Sequence, residues 1–232
     1  MFSSSSSLGG SYEYGTSKDK GFVEALRLGA HFDEVIHVPD LNMDPDDYVQ
    51  EFVEVCTGGP VNRLSSGIYA RVYEGKNSSV FKVGSALDNQ GYIRYFARYS
   101  KNQENPFFPK VYWSALIVNE DQESAVYIIH MEKLLETWIP KDDIWARKTY
   151  GRQPEILLEK LAENIECNSR IVLPKNVAPV PPEFYSAKKA IREAREEAEL
   201  NHYGDEYAAF DLHNGNFMWR HNGQIVITDP IS

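Results

Sequence analysis

The chain has 232 residues, 42% hydrophobic, 12% aromatic and 25% charged, an ordinary globular composition with room for one domain or two small lobes. Bulk disorder is excluded. With 24 Lys and Arg against 34 Asp and Glu the formal charge is −10, so no overall basic field exists to hold nucleic acid or an anionic membrane, and any anionic ligand needs a local site. No apolar run approaches the roughly 20 residues of a membrane span. The Ser-rich start lacks the basic and apolar regions of a signal peptide. A soluble, cytoplasmic protein with no direct nucleic-acid or membrane partner is expected. The cysteines, Cys56 and Cys167, are far apart with no CxxC or Cys/His spacing, which predicts two buried, reduced thiols rather than a disulfide or zinc site.

Residues 1–20 are Ser, Gly and charge with almost no aliphatic content, and burial there cannot offset the entropy of ordering, so a flexible tail is expected. From Gly21 a helical pattern runs through Phe22, Val23, Leu26 and Leu28. A second runs from Pro45 to Val55 with Tyr48, Phe52 and Val55 on one face, after an Asp44-Pro45 start and before a Gly58-Gly59-Pro60 stop. Residues 21–60 therefore read as a helical N-terminal extension. Beyond Pro60 the period becomes that of strands, at Ile68–Tyr73, Ser79–Val83, Val111–Val118 and Ala125–His130, interrupted by one helical stretch at Gly91–Ser100. This predicts a small antiparallel sheet carrying one helix, over residues 61–134. Residues 135–232 turn mainly helical, at Glu155–Glu166 and Pro182–Asn201. In the latter Phe184, Ala187, Ile191, Ala194 and Ala198 hold helical spacing, and the charged residues form a solvated face with i,i+4 pairs. Two short apolar runs, Phe217–Trp219 and Ile225–Ile227, are joined through Asn222-Gly223, a strong hairpin signal. The fold class expected is α+β.

The segment Phe210-Asp211-Leu212-His213-Asn214-Gly215-Asn216 carries the most chemistry. Asp211 and Asn216 stand five apart around Gly215, and Asp229 follows Asn216 by thirteen residues. The plain structural reading is a hairpin whose Asp and Asn cap turns. The spacing also resembles the catalytic loop and metal-binding aspartate of the protein-kinase-like superfamily, in which an Asp orients or deprotonates the attacking hydroxyl while an Asn and a later Asp hold magnesium. Magnesium suits such a set because it prefers hard oxygen ligands and keeps several waters. Upstream, Leu64 to Tyr73 follows the register of a kinase nucleotide loop. Gly67 keeps one of the three usual glycines, and Ser65 and Ala70 take the places of the others beside Ser66. Lys82, ten residues after Val72, sits among apolar neighbours where the superfamily places the lysine that reaches the α/β-phosphates. Tyr127 to Leu134 reads as a strand entering a hinge, where the backbone of Glu132 to Leu134 would meet an adenine edge and Val72 would cover the ring.

The Asp-Leu-His-x-Gly-Asn form, with His213 in the place eukaryotic protein kinases give to Lys, is shared with aminoglycoside and choline phosphotransferases. Together with Ile227-Thr228-Asp229-Pro230-Ile231-Ser232 and the lead-in Arg63-Leu64, it most resembles the early serine/threonine protein kinase of short-tailed, autographivirus-type bacteriophages. The likeness is densest at 64–84 and 209–232. It implies a two-lobed kinase fold with a shortened C-lobe, use of ATP and Mg2+, and phosphorylation of host proteins: RNA polymerase, ribonucleases and translation components. Lys82, Asp211 and Asn216 would be catalytic. Asn216 and Asp229 would hold the metal. Ser65, Ser66, Gly67, Ala70, Val72, Lys82, Glu132, Leu134 and His213 would line the nucleotide. His213 would either contact the phosphates or fix its loop. The stretch Gly91–Ser100 has no Glu to pair Lys82, which leaves the flanking Asp88 and Glu104, or Asp229, as the orienting carboxylate. Phe210 replaces the Arg that reads activation-loop phosphorylation elsewhere. The Ser3–Ser7 run is a candidate for self-phosphorylation, the plainer reading being a disordered leader. Two other classes remain: a small-molecule phosphotransferase, suggested by the Asp-Leu-His motif, and a non-catalytic pseudokinase, suggested by the reduced glycine loop.

Overall fold

A computed structural model describes residues 17–38, 45–66, 70–120, 123–136, 154–168, 171, 179–200 and 208–231. Among the described residues it is a mixed α+β protein with a six-stranded sheet, a two-stranded hairpin and five α-helices. Helix α1 (Ser17–Leu28) leads into strand β1 (Glu34–His37), and α2 (Pro45–Thr57) precedes β2 (Arg63–Ser66), β3 (Ala70–Glu74) and β4 (Ser79–Ser85). Next come α3 (Gln90–Tyr99), β5 (Val111–Asn119) and β6 (Ser124–Glu132). Then follow α4 (Pro154–Cys167), α5 (Pro182–Leu200) and the hairpin strands β7 (Phe217–Trp219) and β8 (Ile225–Ile227). In space the sheet runs β1-β5-β6-β4-β3-β2.

Period-two alternation divides this sheet into two faces. Val80, Leu116, Val118, Tyr127, Ile129 and Met131 enter the main core with α3, α5 and the hairpin. Phe81, Val83, Ile117 and Ile128 form a second cluster with Val53 of α2. There Phe52 stacks on Trp113 with ring centroids 6.1 Å apart. Helix α2 stops where its sequence says it should: Gly58 takes φ +72° and the Gly59 N–H donates to the Glu54 carbonyl at 3.0 Å.

The structure departs from the sequence expectations in five respects. The sheet is not wholly antiparallel, because β1 pairs parallel to β5, from Glu34 opposite Ala115 to His37 opposite Val118. Residues 21–60 are consequently not a helical appendage: they supply an edge strand and a helix that covers one sheet face. Four residues of Glu-Val-Ile-His carry too little alternation to announce a strand whose pairing is set by a distant partner. Ser17–Lys20 belong to α1 rather than to a flexible tail. In both N-terminal helices the buried face is rotated from the one read: Ala25, Leu28 and Val53 are buried, while Val23, Leu26 and Val55 are exposed. Cys56 and Cys167 are also exposed, because each lies at a helix end on the solvent side.

Helix α3 is the centre of the molecule. Tyr92, Tyr95, Phe96 and Tyr99 are fully buried against Phe107, Phe108 and Tyr127. The phenol groups find partners: Tyr92 Oη to Tyr99 Oη at 2.9 Å, Tyr95 Oη donating to the Ile227 carbonyl at 2.7 Å, and Asn89 Nδ2 donating to Tyr127 Oη at 3.1 Å. On its other side, Arg94 pairs with Glu24 of α1 at 2.7 Å and approaches Glu197 of α5 at 3.9 Å. Helix α5 buries the five apolar residues that its spacing singled out.

Burial raises the pKa of Tyr92, Tyr95, Tyr99 and Tyr127 above the ordinary phenol value. Above pH 10 the unfolded chain releases these protons while the folded chain keeps them, so stability is intact below about pH 10 and falls as pH rises from there. Each tyrosine contributes a slope of up to about 1.4 kcal/mol per pH unit once ionised in the unfolded chain. Denaturation curves between pH 9 and 11 are expected to show steep alkaline loss, flattened in Tyr95→Phe. A pH-independent midpoint over that range would contradict the assignment.

Candidate active site

Two segments far apart in sequence meet at Lys82. Lys82 lies on β4, opposite Val72 on β3 and Ile129 on β6, and Ser65 of β2 continues the same cross-strand row beyond Val72. This places Val72 beside the lysine on the face that looks toward the main core, with Ala70 two residues away on the same face. The Lys82 side chain is only 10% exposed, and its Nζ donates to Asp229 Oδ2 at 2.7 Å across 147 residues of chain. Burial pushes the ammonium pKa down and the Asp229 charge opposes that shift. The carboxylate paired with Lys82 is therefore Asp229, and not Asp88 or Glu104. The same ammonium sits 3.4 Å from the ring centre of Tyr92 on α3.

The Asp211 loop is tied to the Asp229 segment through the backbone. Asp211 N–H donates to the Pro230 carbonyl at 2.9 Å, Thr228 N–H donates to the Asn216 carbonyl at 2.9 Å, and Phe210 bridges to Ile231. Within the loop, Asn216 Nδ2 donates to the Asp211 carbonyl at 2.7 Å and lies 3.2 Å from His213 Nε2. The Gly215 N–H donates to His213 Nδ1 at 3.0 Å, which puts the proton of a neutral ring on Nε2, 3.4 Å from Asp211 Oδ1. These contacts hold the His213 ring within its loop. A Cβ at Gly215 would stand 2.8 Å from the imidazole Cε1, so a side chain there would displace the His213 ring.

Two oxygens remain for a hard cation. Asp229 Oδ1 is buried without a hydrogen-bond partner among the described residues. The Asn216 amide nitrogen is committed to the Asp211 carbonyl, so its oxygen is the atom left to offer. These residues fit an ion that takes few protein ligands and keeps water. Among the described residues no group of three or more His, Cys, Asp or Glu gathers in the manner of a transition-metal centre.

At the expected hinge, two backbone donors are already engaged. The N–H of Glu132 donates to the Lys110 carbonyl and that of Lys133 to the Ser78 carbonyl, both at 3.0 Å. An adenine edge at this segment would meet the N–H of the buried Leu134, which has no backbone partner of this kind among the described residues. The Glu132 carboxylate is also engaged, by Arg220 on the β7–β8 turn, with Nε to Oε2 at 2.9 Å and Nη2 to Oε1 at 2.5 Å. Sequence reasoning missed Arg220 and Tyr92, since nothing local to either residue announces its partner. Ser66 lies on β2, and Gly67 lies outside the described residues.

Residues 180–232 match the family described as bacteriophage T7 protein kinase 0.7. The matched stretch holds α5, Asp211, Asn216 and Asp229, so the resemblance read from the residues at 209–232 is borne out over that segment. No curated protein matches the chain. A solved structure, the streptomycin–ATP–APH(2″)-IIa ternary complex, is 14% identical to this protein, covering 83% of this chain and 73% of that one with a TM-score of 0.32. A likeness that low carries no weight for fold or chemistry. Over the segment 180–232, less than a quarter of its length, the chain is similar to a protein-kinase family. No helix among the described residues is long and apolar enough to cross a membrane.

Proposed function

We propose that the protein is an ATP- and Mg2+-dependent serine/threonine protein kinase of a bacteriophage, acting in the host cytoplasm on host proteins of transcription, RNA processing and translation. The observation that supports it most is the meeting of Lys82 with Asp229 at 2.7 Å beside a loop in which Asp211 and Asn216 are already hydrogen-bonded into place. Asn216 and Asp229 would hold Mg2+, which would supply charge neutralisation to the transferring phosphoryl group. Lys82 contacts the α/β-phosphates, and the small residues Ser65, Ser66, Gly67 and Ala70 let the backbone approach them. Val72 covers one side of the adenine and the Leu134 N–H meets its edge. Asp211 receives the acceptor hydroxyl and takes its proton late, as the bond from that oxygen to the γ-phosphorus forms and the bond to the β–γ bridging oxygen breaks. Little base strength is needed, because the transition state is loose and catalysis is mainly positioning and charge neutralisation. Self-phosphorylation at Ser3–Ser7, which lie outside the described residues, belongs to the same proposal.

The acceptor class is tested by incubating the protein with γ-labelled ATP, Mg2+ and a bacterial lysate, followed by acid hydrolysis of labelled bands. Phosphoserine and phosphothreonine in protein bands are expected. Label only in small molecules would favour an aminoglycoside- or choline-type phosphotransferase, and no label at all a pseudokinase.

A further inference from the structure

We propose that Tyr92 is a positioning residue for phosphoryl transfer, the face of its ring holding the Lys82 ammonium where α3 supplies no acidic partner. The inference rests on the kinase reading above and deepens it. Helix α3 contains no Asp or Glu from Gln90 to Tyr99, and its two arginines include Arg94, which turns away from the site to meet Glu24 and Glu197. What α3 places against the lysine is an aromatic face, with Nζ 3.4 Å from the ring centre and both residues buried. A cation over an aromatic face is attracted by the ring quadrupole, and more strongly when water is excluded.

The ring is itself fixed. Its hydroxyl meets Tyr99 Oη at 2.9 Å, and Tyr127 packs against it with centroids 5.5 Å apart. Lys82 thus has two holders of different kinds, the Asp229 carboxylate and the Tyr92 ring. Asp229 also carries the buried, unpartnered oxygen assigned to the metal, so its charge is shared in the working site. Tyr92 keeps hold of Lys82 without a negative charge of its own, which leaves the ammonium's charge for the phosphates. Tyr92 touches the lysine and is itself fully buried, so it acts through Lys82.

The test compares Tyr92→Leu with Tyr92→Phe for affinity toward Mg2+-ATP by calorimetric titration and for label transfer at limiting and saturating ATP. The leucine keeps an apolar side chain at the position but removes the aromatic face; the phenylalanine keeps the face and removes only the hydroxyl. Tyr92→Leu is expected to weaken ATP binding about tenfold, with transfer falling more at limiting than at saturating ATP. Tyr92→Phe is expected to restore most of both. Tyr92→Met repeats the comparison should the leucine variant fail to fold. Parent-like ATP binding in a folded Leu or Met variant overturns the inference, as does a phenylalanine variant impaired as much as the leucine one. A parent protein that transfers no label brings down the kinase reading itself, which separates that failure from a failure confined to Tyr92.

Discussion

Asp229→Asn is expected to lower phosphoryl transfer by about a thousandfold or more, the scale seen when a preorganised charge contact to the transition state is removed. The substitution keeps the shape of the side chain and removes its charge, and both oxygens have work that depends on charge. Oδ2 pairs with Lys82 at 2.7 Å, and Oδ1 is the buried oxygen left for the metal. Without the carboxylate, Lys82 remains desolvated with no counter-charge from this side, so its pKa moves further down in the direction burial already drives it. An uncharged amide is also a poorer ligand for Mg2+. Initial rates measured across a magnesium titration check this. Parent-like turnover by a folded Asp229→Asn protein would remove Asp229 from the site.

Arg220→Ala is expected to cost about 3–5 kcal/mol of stability, the range for breaking one side of a mostly buried ion pair. Arg220 binds both oxygens of Glu132, and it also donates to the Pro106 carbonyl at 2.6 Å and the Phe108 carbonyl at 2.9 Å. It therefore ties the hinge, the segment after α3 and the β7–β8 hairpin to one guanidinium. Truncation leaves two carbonyls without their donor and the Glu132 carboxylate with only the Lys110 N–H, and that unmet desolvation is the main part of the cost. Replacing both charges, as Arg220→Met with Glu132→Leu, should recover much of the loss, since no charge is then stranded. Urea denaturation of the two proteins is the check. A loss below about 1 kcal/mol for Arg220→Ala would mean the pair is solvated and structurally idle.

What the sequence made legible is what short-range spacing encodes. The stripe Phe184, Ala187, Ile191, Ala194 and Ala198 is buried as a unit, Gly223 takes φ +82° in the hairpin turn marked by Asn222-Gly223, and β3 to β6 fall close to where alternation put them. The motif residues around 211–229 also met as their order implied, because the backbone bonds between Asp211 and Pro230 and between Asn216 and Thr228 close the loop locally. Contacts whose partner lies far along the chain were not legible. Strand β1 is defined by β5, the ion pair of Glu132 by Arg220, and the setting of Lys82 by Tyr92 and Asp229 together. A tyrosine in an aromatic helix reads as core until the lysine appears over its ring. The exposed thiols have a related cause: residue type favours burial, but the position of Cys56 and Cys167 on their helices decides it.

The central claim is that Lys82, Asp211, Asn216 and Asp229 form one phosphoryl-transfer site. Transfer of the γ-phosphate of ATP by Asp211→Ala, measured beside its affinity for Mg2+-ATP, tests it most directly. Asp211 is given to the acceptor hydroxyl rather than to the nucleotide, so the account predicts transfer reduced to background with ATP affinity close to that of the parent. Transfer by Asp211→Ala at the parent's rate would contradict it.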